Sequence, residues 1–128
     1  MNGLNELRDK IHENARTKGY YDFENIVNPT EYNKNLTHAF FAQKISLIHS
    51  ELSEALEADR NEKRARPEVK YDNAEFDLHI KDTVEDELAD VIIRTLDVCG
   101  WLGIDIQKYV ELKMQYNELR EYKNGKIY

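Results

Sequence analysis

The stretch SLIHSELSEALEADR, Ser46 to Arg60, has helical periodicity but carries carboxylates where packing has no use for them. A helix turns about 100° per residue. That rotation brings Leu47, Ile48, Ala55 and Ala58 to nearly the same side as Glu51, and Leu52 and Leu56 extend the stripe. Glu51 therefore lies inside the apolar arc, and Glu54 sits about 60° away at its margin. A second stretch, VEDELADVIIRTLDVC, is apolar over more than half its girth through Val84, Leu88, Val91, Ile92, Ile93, Leu96 and Val98. Its polar remainder is a stripe: Glu87, Asp90 and Arg94 lie within about 60° of one another, and Asp97 continues the line.

Each stretch thus presents an acid pair at i, i+3. If the two helices pack antiparallel through their apolar faces, Glu51, Glu54, Glu87 and Asp90 can meet near one point. Unit charges about 4 Å apart interact by about 4 kcal/mol even at an effective dielectric near 20. Four such groups must either take up protons or share a cation. Carboxylate oxygens without a His or Cys ligand favour Mg²⁺, or Mn²⁺, over Zn²⁺. Mg²⁺ is commonly held between carboxylates and substrate phosphates, so the constellation suggests metal-assisted chemistry on a phosphorylated substrate. The plain alternative is a solvated surface, where single i, i+3 acid pairs are common; two pairs on two helices, with Glu51 in an apolar arc, argue against it. A ferritin-like di-iron site needs Glu-x-x-His pairs, whereas Glu75 and His79 are four apart.

The elements that position these acids are helices. Leu4, Leu7, Ile11 and Ala15 mark a helix over Leu4–Lys18 that ends at Gly19. After a tyrosine-rich connection containing Pro29, Thr37 can cap a long helix from about His38 to about Arg64. The segment from Asn61 to Lys81 reads as a charged loop or insertion with Pro67 in it, holding at most a helical turn. Asp82 or Thr83 can cap the next helix, which the pattern stops at Gly100. Asp105 caps a last helix, Ile106 to about Lys123. No strand alternation, repeat or low-complexity tract occurs, so the expectation is a single all-α domain over residues 1–128, a bundle of about four main helices.

A length of 128 residues with 41% hydrophobic and 34% charged residues is a globular balance. No apolar run approaches the roughly 20 residues that span a bilayer, and the first ten residues, MNGLNELRDK, carry no signal-peptide core. Cys99 is the sole cysteine, which makes a reducing cytoplasm the expected compartment. A net charge of −7 without a basic stripe argues against gripping a nucleic-acid polymer. It leaves open a small phosphorylated ligand, since a metal ion can reverse the local sign of a site.

SELSEALEA and DELADVI resemble the two acidic motifs of the MazG-like, all-α nucleoside triphosphate pyrophosphohydrolases. Glu51 and Glu54 match the last two acids of that family's Glu-Glu-x-x-Glu run, with Ser50 where many members have the first glutamate. Glu87 and Asp90 match its Glu-x-x-Asp motif. The tail KMQYNELREYKNGK is similar to the Lys-Met-x-x-Asn-x-x-Arg ending of these relatives, and IHENARTKGYYD to the opening of small members. The resemblance implies a helical bundle assembled as a homodimer or homotetramer, with Mg²⁺ on the four acids. It also implies hydrolysis of an NTP or dNTP to the monophosphate and pyrophosphate, often to clear unwanted nucleotides (house-cleaning). The near-complete apolar girth of the Val84–Val98 helix favours assembly as well.

Within that reading, Glu51 or Glu54 would orient or deprotonate the attacking water. Lys113, Asn117 and Arg120 share one face of the last helix at i, i+4, i+7 and could bind phosphate, sugar or base; a solvated face is the alternative. Lys44, two turns before Glu51, could meet phosphate or pair with an acid, and Arg94 reads as a structural ion pair. Tyr20, Tyr21 and Trp101 could stack on a base or belong to the core. His12, His38, His49 and His79 show no metal spacing, and Cys99 reads as a small buried apolar residue. Two rivals stand beside this reading: a non-catalytic helical interaction or regulatory module, and a phosphoribosyl-ATP pyrophosphatase-like enzyme.

Overall fold

The computed structural model describes residues 3–22, 34–68 and 70–120. Within them lie five helices and no strand: α1 (Gly3–Thr17), α2 (Lys34–Arg60), α3 (Asn73–His79), α4 (Val84–Leu102) and α5 (Ile106–Glu118). The architecture is all-α, with four longer helices and a short one inside the charged connection. Pro29 and the tail beyond Arg120 fall outside the described residues.

α2 and α4 pack antiparallel. Lys44 meets Asp97 at one end, and the Val84 N–H donates to the Lys63 carbonyl at the other (3.0 Å). α1 crosses α4 antiparallel too, with Arg8 Nη1 donating to the Ile104 carbonyl at 2.6 Å. The buried aromatic centre joins these elements: Tyr21, Phe40 and Trp101 stack edge to face, with ring centroids 5.9 and 5.1 Å apart. Leu36 packs against this cluster. That contact explains why α2 starts at Lys34 rather than at a Thr37 cap. Carrying Leu36 and Phe40 into the core on one helical face requires regular helix before Thr37. The Thr37 hydroxyl is then buried, with no hydrogen-bond partner among the described residues.

α2 also stops earlier than its charge pattern suggests. Glu62 takes φ 55°, and the Lys63 N–H closes back on the Ala58 carbonyl, so the helix ends at Arg60. The following connection is anchored, because the Glu85 carboxylate accepts from Arg64 Nε (2.7 Å) and the Ala65 N–H (2.8 Å). These bonds, the Ala65 N–H first, hold the Glu85 carboxyl down at about 2. Asp72 caps α3 by accepting from the Ala74 and Glu75 amides. Thr83, not Asp82, caps α4, accepting from the Asp86 N–H at 3.2 Å.

Gly100 does not end α4, which continues to Leu102 and is closed by Gly103 at φ 68°. The glycine at 100 serves packing instead. A Cβ there would lie 2.5 Å from His12 Cβ, so its absence is what lets α1 approach α4. Asp105 caps α5 as expected, accepting from the Lys108 N–H and from Asn5 Nδ2. Beyond that first turn α5 leaves the body of the chain: residues 108–120 are all exposed.

Gly100→Ala should destabilise the chain by about 1–3 kcal/mol through overpacking. Urea unfolding would show a lower midpoint at unchanged slope; an unchanged or higher midpoint would contradict the close approach.

Candidate metal centre

Antiparallel pairing of α2 and α4 brings the two acid motifs together. Ligand oxygens of Glu51, Glu87 and Asp90 lie within 4.8 Å of one another. Glu51 and Glu87 are 8% and 6% exposed, so the arc geometry that singled out Glu51 corresponds to real burial. Glu54 is exposed at the rim, and its carboxyl interacts with those of Glu51 and Glu87. A second group, Asp82, Asp86 and Glu87, is equally tight and shares Glu87 with the first. The sequence reading took Asp82 only as a cap and passed over Asp86. Their i, i+4 spacing was the available signal, but a left-handed Asp82 (φ 63°), with its N–H donated to Asp86 Oδ2 at 2.8 Å, is what turns them together.

The electrostatics show how unevenly the charges are compensated. Burial pushes Glu51 up, but hydrogen bonds with Glu54, Arg94 and Glu87 and the Arg94 charge outweigh it, and its carboxyl stays below the ordinary value. The bond from Arg94 Nε to Glu51 Oε1 is 2.8 Å. Burial, followed by hydrogen bonds and repulsion from the neighbouring acids, pushes Glu87 up to about 7. Asp90 is raised by burial and by the charges of Glu51 and Asp86. Glu54 is raised by its hydrogen bond with Glu51 and by that residue's charge. Arg94 supplies the only ion pair that these four acids make among the described residues. The set is all carboxylate oxygen, buried at its centre and short of positive charge, which fits a hard divalent cation.

Beside the acids lies a cleft of about 800 Å³ walled by α1, α2 and α4, with Asp90 and Arg94 on the wall it shares with the acid group. Lys44 also lines it but pairs with none of the four acids. Its ammonium lies 3.2 Å from Asp97 Oδ2 and 4.3 Å from the Tyr21 ring centroid. Asp97 is a hub that the sequence reading noted only as part of a stripe. It accepts from His12 Nδ1 (2.8 Å), the Tyr21 hydroxyl (2.8 Å) and Lys44, which tie three segments to α4.

Lys113, Asn117 and Arg120 are not brought to the acids within the single chain. All three are exposed, Lys113 and Asn117 on α5 and Arg120 just beyond the helix end at Glu118, short of the expected Lys123. Lys113 and Arg120 flank the Tyr116 ring at 4.8 and 5.5 Å. From Glu87 to the start of α5 the chain climbs about 20 Å along α4, and α5 makes its main contact with α1. Of the aromatics, Tyr21 and Trp101 are core, whereas Tyr20 is 68% exposed at the cleft. Cys99 is buried, and burial pushes its thiol up. His49 is exposed. No protein-family model, curated protein or solved structure matches the chain.

The raised Glu87 carboxyl fixes a pH dependence. Its folded value of about 7 lies above the ordinary 4.5, so the stability it contributes is full below pH 4.5 and is lost as pH rises through 7. Without metal, the chain should therefore melt lower at pH 8 than at pH 5. Glu87→Gln should flatten that difference in thermal unfolding. An equally steep profile in the variant would place the titration elsewhere.

Proposed function

We propose that the chain is a Mg²⁺-dependent nucleoside triphosphate pyrophosphohydrolase of the MazG-like kind, releasing monophosphate and pyrophosphate. The observation that carries this reading is the convergence of Glu51, Glu87 and Asp90 within 4.8 Å, two of them buried, on a helix pair with one compensating guanidinium. The likeness of the two acid motifs to that family, in the order and spacing SELSEALEA then DELADVI, supports the reaction assigned to the site.

In this reading Glu51, Glu87 and Asp90 hold the metal, with Glu54 at the open edge. When bound, Mg²⁺ neutralises phosphoryl charge and acidifies a water molecule. The chain's own residues do the rest. Glu54, exposed and with its carboxyl raised above the ordinary value by Glu51, is the better placed of the two glutamates to take the proton from the attacking water. The water oxygen bonds to phosphorus, the bond to the bridging oxygen breaks, and pyrophosphate leaves. Arg94 keeps Glu51 ionised and aimed. Positioning and charge stabilisation account for most of such a rate enhancement.

A homo-oligomer belongs to the same proposal. α2 and α4 leave Leu56 (61%), Leu88 (46%) and Ile92 (54%) in water, and α5 exposes Met114 (58%) and Leu119 (87%). Burying one such side chain is worth about 1.5–3 kcal/mol. A second copy would also be the natural source of the Lys113, Asn117 and Arg120 face for a neighbouring acid group.

With Mg²⁺ and a panel of NTPs, dNTPs and phosphoribosyl-ATP, wild type should yield monophosphate and pyrophosphate from at least one nucleotide, and chelation should abolish turnover. Glu54→Gln should lose about 100-fold or more in kcat while keeping thermal stabilisation by Mg²⁺, and Glu87→Gln should lose that stabilisation. A panel without turnover, together with unfolding indifferent to Mg²⁺ and nucleotide, would favour an interaction module.

Sedimentation at micromolar concentration should give a dimer or tetramer, and Ile92→Glu should shift it towards monomer. A monomeric wild type would end the assembly part of the reading.

A further inference from the structure

The cleft beside the acids has a chemistry that the metal centre does not use. Its lining has an aliphatic part, with Ile11 on α1, Leu47 on α2 and Ile93 on α4, and the exposed Tyr20 ring lies on it just past the end of α1. Two side-chain carboxamides interrupt this apolar lining, Asn14 from α1 and Gln43 from α2. Both are exposed, and neither has a side-chain hydrogen-bond partner among the described residues. A carboxamide offers a donor and an acceptor side by side, which matches the edge of a nucleobase. The cations Lys44 and Arg94 and the acid Asp90 lie on the same lining, and Asp90 belongs to the acid group. A ligand there would meet the charges of Asp90 and Arg94 beside the acid group and the carboxamides of Asn14 and Gln43 elsewhere on the lining.

We propose that this cleft seats the nucleoside part of the nucleotide, with Asn14 and Gln43 reading the edge of the base from opposite walls and so setting base preference. This rests on the pyrophosphohydrolase reading for the direction in which the ligand lies. A cleft of about 800 Å³ falls within the usual size of a small-molecule site. Its walls are pre-set, because Asp97 ties α2 and the α1 region to α4 through Lys44, His12 and Tyr21. Ordering the site on binding therefore costs little. The aliphatic walls and Tyr20 accept any base by stacking and apolar contact, so discrimination falls to the two carboxamides.

The test uses nucleosides without phosphate and without Mg²⁺, which keeps it independent of the acids. Adenosine, guanosine, cytidine and uridine are titrated into the full chain by calorimetry, with ligand-observed NMR for weak binders. At least one should bind wild type. Gln43→Leu and Asn14→Leu, which keep bulk at exposed positions, should each weaken the preferred nucleoside about ten-fold and narrow the spread among the four. The same variants should raise KM for the matching triphosphate with kcat little changed. No nucleoside binding, or binding and preference unchanged in both variants, would overturn the proposal. Altered self-association in Gln43→Leu without nucleoside binding would also overturn it, because the cleft would then be filled by a second copy. Nucleoside binding without hydrolysis of any triphosphate would sink the enzymatic reading and leave the cleft assignment standing. Hydrolysis without nucleoside binding would do the reverse.

Discussion

The crowding of carboxylates between α2 and α4 is the constraint on which the rest of the structure turns. Glu51 and Glu87 occupy positions where a leucine would contribute to the core, and both are nearly out of water. Burying an ion without a partner is among the more expensive things a fold can do. The chain answers with one guanidinium, from Arg94, directed at Glu51 alone. Glu87 and Asp90 respond by holding their protons more tightly. The helix pair is thus under electrostatic tension at its acid end and must be held together from elsewhere.

The opposite end of the same pair supplies that support. Asp97 lies seven residues beyond Asp90 on α4, about 10 Å along the axis. It is a half-buried carboxylate with the opposite fate, surrounded by donors from His12, Tyr21 and Lys44. Lys44 packs over the Tyr21 and Phe40 rings, so the polar hub and the aromatic core are one assembly. Gly100, one turn further, lets α1 close upon it. One end of α4 is therefore over-satisfied and the other under-satisfied. The fully partnered end at Asp97 holds α2 and α4 together beside the under-satisfied one.

Much of this was legible from spacing. The acid pairs, the cap at Asp105 and a cap at Asp82 or Thr83 follow from local rules, because the period of a helix and the reach of a cap are set within a few residues. The antiparallel pairing enters the sequence reading only as a condition. What escaped was non-local. Thr37 looked like a cap because nothing nearby says that Leu36 and Phe40 pack on Tyr21 and Trp101. Gly100 looked like a stop because its use is to face His12, far away in the chain. Asp97 was visible as part of a stripe but not as a hub, since its three partners come from three segments. Lys113 and Asn117 share a face of α5, but the helix ends at Glu118 and leaves Arg120 beyond it, and helical spacing carries no information about where α5 points.

The exposure of α5 bears on the charge imbalance. Lys113 and Asn117 on α5 and Arg120 just past it are left in water by a chain whose acid centre has one cation, Arg94, and Met114 and Leu119 are exposed beside them. Glu54, Glu87 and Asp90, whose carboxyls are raised, weigh on the stability of the single chain, whereas Arg94 offsets the charge of Glu51. The repulsion among Glu54, Glu87 and Asp90 is the quantity that weighs on folding at this end of the helix pair. Any ligand that lowers this repulsion must stabilise the fold, and any change that stiffens the fold without lowering it leaves the acids still seeking a partner.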